Sequence, residues 1–190
     1  LEGIAGVYFP EENCRFASYV LRYLGDYRNL VPGGADVLHW NAGLWDVPEI
    51  MGDEPVTPIE HYAVQIARID RRLRQLFPKA KIVFATSTAV EEEKFGPVFK
   101  RRNATIEAFN AAAIKALEGT DTVIDDLYAV TATAPEECHS DMTHYSTPAG
   151  IEHVGGKVIE CISRELGIEA KTVDMDTFYP EAYPKKVIGN

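Results

Sequence analysis

Two kinds of apolar pattern alternate along the chain. Short solid runs occur at Ile4–Phe9, Ala35–Trp40, Lys81–Thr86 and Thr122–Asp125. After each of them apolar residues recur every three or four positions. Solid runs of this length predict strands buried on both faces, and the longer spacing predicts amphipathic helices. The first helix is expected over Glu12–Asp26, carried by Phe16, Tyr19, Val20, Tyr23 and Leu24, with Asn13 as its N-cap. The second is expected over Thr57–Phe77, with Pro58 at its first position, Glu60 in its first turn and Pro78 beyond its end. The third is expected over Pro97–Leu117 with Gly119 past its end, and the fourth over Pro148–Leu166, closed by Gly167. Leu127–Met142 reads as irregular, and the tail Ile168–Asn190 holds one short apolar run and no assignable element.

Strand-helix alternation of this kind predicts an α/β chain: a three-layer α/β/α sandwich around a central parallel sheet. One domain is expected to span residues 1–190. In such sheets ligands sit outside the carboxyl ends of the strands. The candidate loops are therefore Pro10–Arg15, Asn41–Asp46 and Leu127–His144.

Charge narrows the function classes. With 29 acidic and 19 basic residues the net charge is −10. The main basic run, Arg71-Arg72 with Arg74, lies on a helical face, so nucleic acid is not an expected partner. No apolar run reaches the roughly 18–20 residues needed to cross a bilayer. Cys14, Cys138 and Cys161 have neither metal nor disulfide-framework spacing. His139, Asp141, His144 and His153 match no common zinc pattern, so no metal is expected.

Three segments carry candidate chemistry. Asp141-Met-Thr-His144 stands just before the last helix. A histidine acting as general base needs a carboxylate to fix its tautomer, and an aspartate three residues earlier on a tight turn can supply it. A surface Asp beside a helix-capping His is the plainer reading of these four residues alone. His39-Trp-Asn41-Ala-Gly43-Leu-Trp45-Asp46 follows the second run, where a side-chain amide can donate to a developing oxyanion. The plainer reading there is a turn-forming Asn-x-Gly with two structural tryptophans. Asn13-Cys14-Arg15 follows the first run, where backbone N–H groups at a helix start suit an anion. Trp40, Trp45 and Asn13 are candidate substrate contacts on the same loops.

Together these segments resemble the SGNH (GDSL-type) hydrolases. Asp141 and His144 match that family's C-terminal D-x-x-H block, with Gly150 and the following helix in keeping. Asn41 matches the Asn block, in the form seen in esterases acting on carbohydrate esters. Pro10–Phe16 is similar to the Gly-containing block, with Cys14 where Gly is usual. The resemblance covers about residues 4–166 and implies a flavodoxin-like sheet of order 2-1-3-4-5. It implies a serine esterase, needing no cofactor, in which Asp141 orients His144 while Asn41 and the Cys14 backbone stabilise the oxyanion. The expected substrate is a small-molecule or carbohydrate ester.

The family's Gly-Asp-Ser block has no match. Ser18, Ser87, Ser140, Ser146 and Ser163 follow no Gly-Asp, and Ser87 is the best internal substitute. The nucleophile is therefore expected on a central first strand roughly 20–25 residues upstream of Ile4, from the same or another chain. The alternative is a degenerate hydrolase that binds a ligand, such as a carbohydrate, without cleaving it.

Overall fold

The computed structural model describes residues 6–10 and 13–170. Its centre is a parallel sheet of β1 (Val37–Trp40), β3 (Lys81–Ala85) and β5 (Val123–Asp125), in the order β1-β3-β5. The register sets Leu38 beside Ile82 and Trp40 beside Phe84. Successive side chains alternate across a strand. Ile82 and Phe84 therefore turn towards α1 (Ala17–Leu30), α2 (Ile59–Leu76) and α3 (Asn103–Leu117), with which they form one buried core. Val83 and Ala85 turn the other way, to the side on which α6 (Gly156–Leu166) packs. Helices on both faces of a parallel sheet make the expected α/β/α sandwich.

The stripe on α2 shows why it holds. Tyr62, Ile66, Ile69 and Leu73 recur at helical spacing and are buried. Full burial of one such side chain is worth about 1.5–3 kcal/mol relative to exposure. No described helix is long and apolar enough to cross a membrane.

Several expectations need correction. Gly6–Phe9 is not a strand, and Val7, Tyr8 and Phe9 are largely exposed. An extended segment needs a neighbour to take its backbone hydrogen bonds, and β1 pairs only with β3 among the described residues. Helix α1 starts at Ala17, later than its apolar spacing suggested, and Asn13 is not its cap. Helix α3 starts at Asn103, because Phe99–Lys100 (β4) pairs antiparallel with Glu49–Ile50 (β2) instead of entering the helix. The Glu92 carboxylate then receives the Asn103 N–H at 3.0 Å and marks the helix start. The segment read as irregular contains α4 (Leu127–Thr131), begun by Asp126, and a 3-10 turn at Glu136–Cys138. The last helix is composite: α5 (Pro148–Gly150), a π-helical stretch Ile151–Gly155, then α6. Its expected terminator Gly167 does adopt the left-handed conformation, at φ 68°. Most of the tail, with Asp174 and Asp176, lies outside the described residues, as do Leu1–Ala5 and Glu11–Glu12.

Candidate active site

The Asp141–His144 turn is closed by its own polar groups. Asp141 Oδ1 accepts the N–H of Thr143 at 2.7 Å and of His144 at 2.9 Å. Oδ2 lies 2.8 Å from His144 Nδ1. An ionised carboxylate only accepts, so Nδ1 carries the proton and Nε2 is left as the basic nitrogen. No described residue hydrogen-bonds to Nε2. Burial acts to raise the Asp141 pKa, but the hydrogen bonds from the His144 ring and the two backbone N–H groups outweigh it and bring it down to about 2.

Neighbouring segments hold this turn. Ser140 N–H donates to the His144 carbonyl at 2.8 Å, Glu91 N–H to the Met142 carbonyl at 2.9 Å, and Tyr145 Oη to the Ala89 carbonyl at 3.0 Å. Thr147 Oγ1 caps α5 by accepting the Gly150 N–H at 3.0 Å. Gly150 is buried, and a Cβ there would collide with the carbonyl oxygens of Cys138 and Tyr145. That steric demand gives the glycine its place in the motif.

The Asn41–Asp46 loop leaves the carboxyl end of β1 and is held from below. Asn41 Nδ2 donates to the Ala85 carbonyl at 2.7 Å, using one of its two N–H groups. Gly43 has φ 149°, and a Cβ on it would strike Ser87 Oγ. Asp46 is fully buried. Its Oδ2 accepts the Ala17 N–H at 3.0 Å and its Oδ1 the Thr57 hydroxyl at 2.7 Å, so one carboxylate joins the loop to the start of α1 and to the approach to α2. Desolvation raises the Asp46 pKa, against the lowering effect of these two bonds.

The third loop turns sharply. Asn13 Oδ1 accepts the Arg15 N–H at 3.0 Å, and Arg15 holds φ 50°. A left-handed backbone is costly for any residue with a Cβ, and the Asn13 side chain braces it.

The three loops meet around one cavity of about 360 Å³. Asn13, Cys14, Asn41, Trp45 and His144 all line it, and Asp141 stands behind His144. Trp40 does not line it. Its indole stacks edge-on against Phe84, with centroids 4.9 Å apart, on the core side of β1. Ser87 does not line it either, being 2% exposed with its hydroxyl 3.5 Å from the Ala42 carbonyl. Among the described residues no serine lines the cavity. Among the described residues no cluster of His, Cys, Asp and Glu is arranged to hold a metal.

Two wall residues escape a reading by motif. Arg101 Nε donates to the Leu44 carbonyl at 2.7 Å and Nη1 to Thr143 Oγ1 at 3.0 Å, which links the Asn41 loop to the His144 turn. Burial lowers the Arg101 pKa, with the Asp141 charge opposing it. Thr143 is the second residue, and it is buried. Arg101 falls in a stretch whose spacing reads as helix, and no local signal turns it inward.

A second, mostly apolar cavity of about 250 Å³ runs along the side of β1 away from β3. Leu38, Trp40, Leu73 and Phe77 line it, and Cys14 and Asn41 belong to both cavities. The Trp40 Nε1 donor is buried there without an acceptor among the described residues. The groove therefore ends at the site.

This architecture places the chain in the fold class of the SGNH hydrolases. Two solved structures share it. A lipase/acylhydrolase from Enterococcus faecalis superposes with a TM-score of 0.63 at 14% identity, covering 83% of this chain and 74% of that one. A carbohydrate esterase family 3 protein from Talaromyces cellulolyticus gives 0.58 at 16% identity, covering 81% and 70%. Identities this low speak for the fold and not for the chemistry. No protein-family model and no curated protein sequence matches the chain.

Proposed function

We propose that the site is that of a serine esterase, with the nucleophilic serine on a strand seated in the groove beside β1. The observation that carries this reading is the His144 ring: Nδ1 is held by Asp141, and no described residue engages Nε2 at a cavity that Asn41 and Cys14 also line. Nε2 would take the serine proton as the hydroxyl attacks an ester carbonyl. Asp141 would stabilise the imidazolium that forms. The second N–H of Asn41 and the backbone N–H of Cys14 would receive the oxyanion. Only the backbone of Cys14 is asked to act, so its side chain is compatible with the role. Losing one such donor typically costs about 2.7–4 kcal/mol of transition-state stabilisation. His144 would then pass the proton to the leaving alcohol.

The groove suits such a strand. Among the described residues the β1 edge there is unpaired and the Trp40 indole N–H has no acceptor, the walls are apolar, and the groove leads to Asn41 and Cys14. A strand laid along β1 would deliver its end to the cavity. That strand would carry the serine. The exposed Trp45 indole at the cavity suits the apolar face of a sugar ring. Together with the esterase and acylhydrolase neighbours, this favours an O-acyl carbohydrate as substrate.

The test is hydrolysis of p-nitrophenyl acetate by the full-length protein, which His144→Ala should all but abolish. Undiminished turnover in that variant overturns the proposal. That no described serine lines the cavity favours a second reading, a sugar-binding module without catalysis. A full-length gene with no serine on the strand that fills the groove would decide for it.

A further inference from the structure

Arg101 and Arg102 are neighbours with opposite fates. Arg102 turns outward and pairs with Glu49 at 2.9 Å and Glu92 at 3.7 Å. Arg101 turns inward, is 9% exposed, and forms no ion pair among the described residues. Its two hydrogen bonds go to neutral acceptors, the Leu44 carbonyl and Thr143 Oγ1. Phe95 and Phe99 lie beside its guanidinium, with ring centres 5.9 and 5.1 Å away. Asp141, the acid that acts on it electrostatically, already spends its oxygens on His144 and Thr143.

A guanidinium removed from water without a counter-charge is unfavourable. Here it stands on a cavity wall with Nη2 unbonded to any described residue, while a planar guanidinium matches a carboxylate in shape and charge. Arg15 lines the same cavity, and no Asp or Glu does among the described residues. In a chain of net charge −10, that local excess of positive charge runs against the average of the surface. The cavity that Arg101 lines also offers Trp45, an exposed indole on which a sugar ring can lie.

We propose that Arg101 makes the cavity selective for a sugar that carries a carboxylate, so that the preferred ester is an O-acylated acidic sugar. Trp45 receives the apolar face of the ring and Arg101 its carboxylate. The identification of the bound group as an ester rests on the function proposed above, whereas the preference for a carboxylate does not.

The experiment has two arms. In the first, the full-length protein hydrolyses O-acetylated methyl glucuronoside and O-acetylated methyl glucoside, which differ in the carboxylate. In the second, glucuronate and glucose are titrated calorimetrically into the same protein. The expected result is a preference of about tenfold or more for the acidic sugar in kcat/KM and in binding. Arg101→Met should remove the preference and Arg101→Lys should keep part of it. Equal handling of both sugars by the unaltered protein overturns the proposal, whether or not any variant folds. So does an Arg101→Met variant that loses both substrates in equal proportion, since Arg101 would then only brace the two loops. If neither acetate is hydrolysed but glucuronate still binds preferentially through Arg101, the carboxylate site stands and the esterase reading falls.

Discussion

His39 Nε2 and Asp125 Oδ2 stand 2.8 Å apart, joining the two outer strands of the sheet across β3. The Asp125 side chain is 1% exposed and that of His39 18%. Cys161 of α6 lies close enough for the Asp125 charge to help raise its pKa, after burial itself. Removing Asp125 leaves the His39 ring N–H without its acceptor, and a largely buried unsatisfied group of this kind costs about 1–3 kcal/mol. Asp125→Leu should therefore lower unfolding stability by about that amount in a urea titration. The double variant His39→Leu/Asp125→Leu should recover much of that loss. A double variant as unstable as the sum of the singles would refute this account of the pair.

Asp141→Asn tests the orientation of His144 while preserving shape. An amide can donate, so it no longer selects the tautomer that leaves Nε2 basic. In the proposed ester hydrolysis kcat should fall by about 10⁴, with KM little changed.

The same residue predicts a pH dependence of stability. Its folded pKa of about 2 is below the unfolded carboxylate value of 3.8. The stabilisation is thus fully present above about pH 4 and is lost as pH falls towards 2. The stability gap between the unaltered protein and Asp141→Asn should be flat above pH 4 and narrow below it. A gap that widens on acidification contradicts the sign.

Asp46→Ala should do harm out of proportion to a surface loop change. It strands the Ala17 N–H and the Thr57 hydroxyl, and each unsatisfied buried group costs about 1–3 kcal/mol. Denaturation should show a loss of roughly 2–4 kcal/mol. Turnover should fall as well, because the loop that carries Asn41 loses its anchor.

Gly150→Ala puts a methyl group against two carbonyl oxygens behind the Asp141–His144 turn. Overpacking of this kind costs about 1–3 kcal/mol. Tm should drop and kcat/KM should drop with it, whereas alanine at Gly156, which meets nothing nearby, should be tolerated.

Much of this molecule was legible from local pattern. Strand runs that need burial on both faces, and helices that need one apolar stripe, leave marks within a few residues, so β1, β3, β5 and α2 stood close to where the spacing put them. The Asp141–His144 pair was legible for the same reason: its contacts close within three residues of chain. Gly6–Phe9 was misread because a strand exists only by virtue of a hydrogen-bonded neighbour, and the segment pairs with none among the described residues. The start of α3 was misread because Phe99 and Lys100 find partners some fifty residues away, in Glu49 and Ile50. Asn13 braces a left-handed Arg15, where its spacing suggested a helix cap. Arg101, Asp46 and His39 took their parts from tertiary structure alone, because each acts through a partner 29 to 86 residues distant. A chain's own pattern decides what must be buried and what can turn, while the meeting of remote polar groups is decided only when the layers close and each buried donor or acceptor must find a partner.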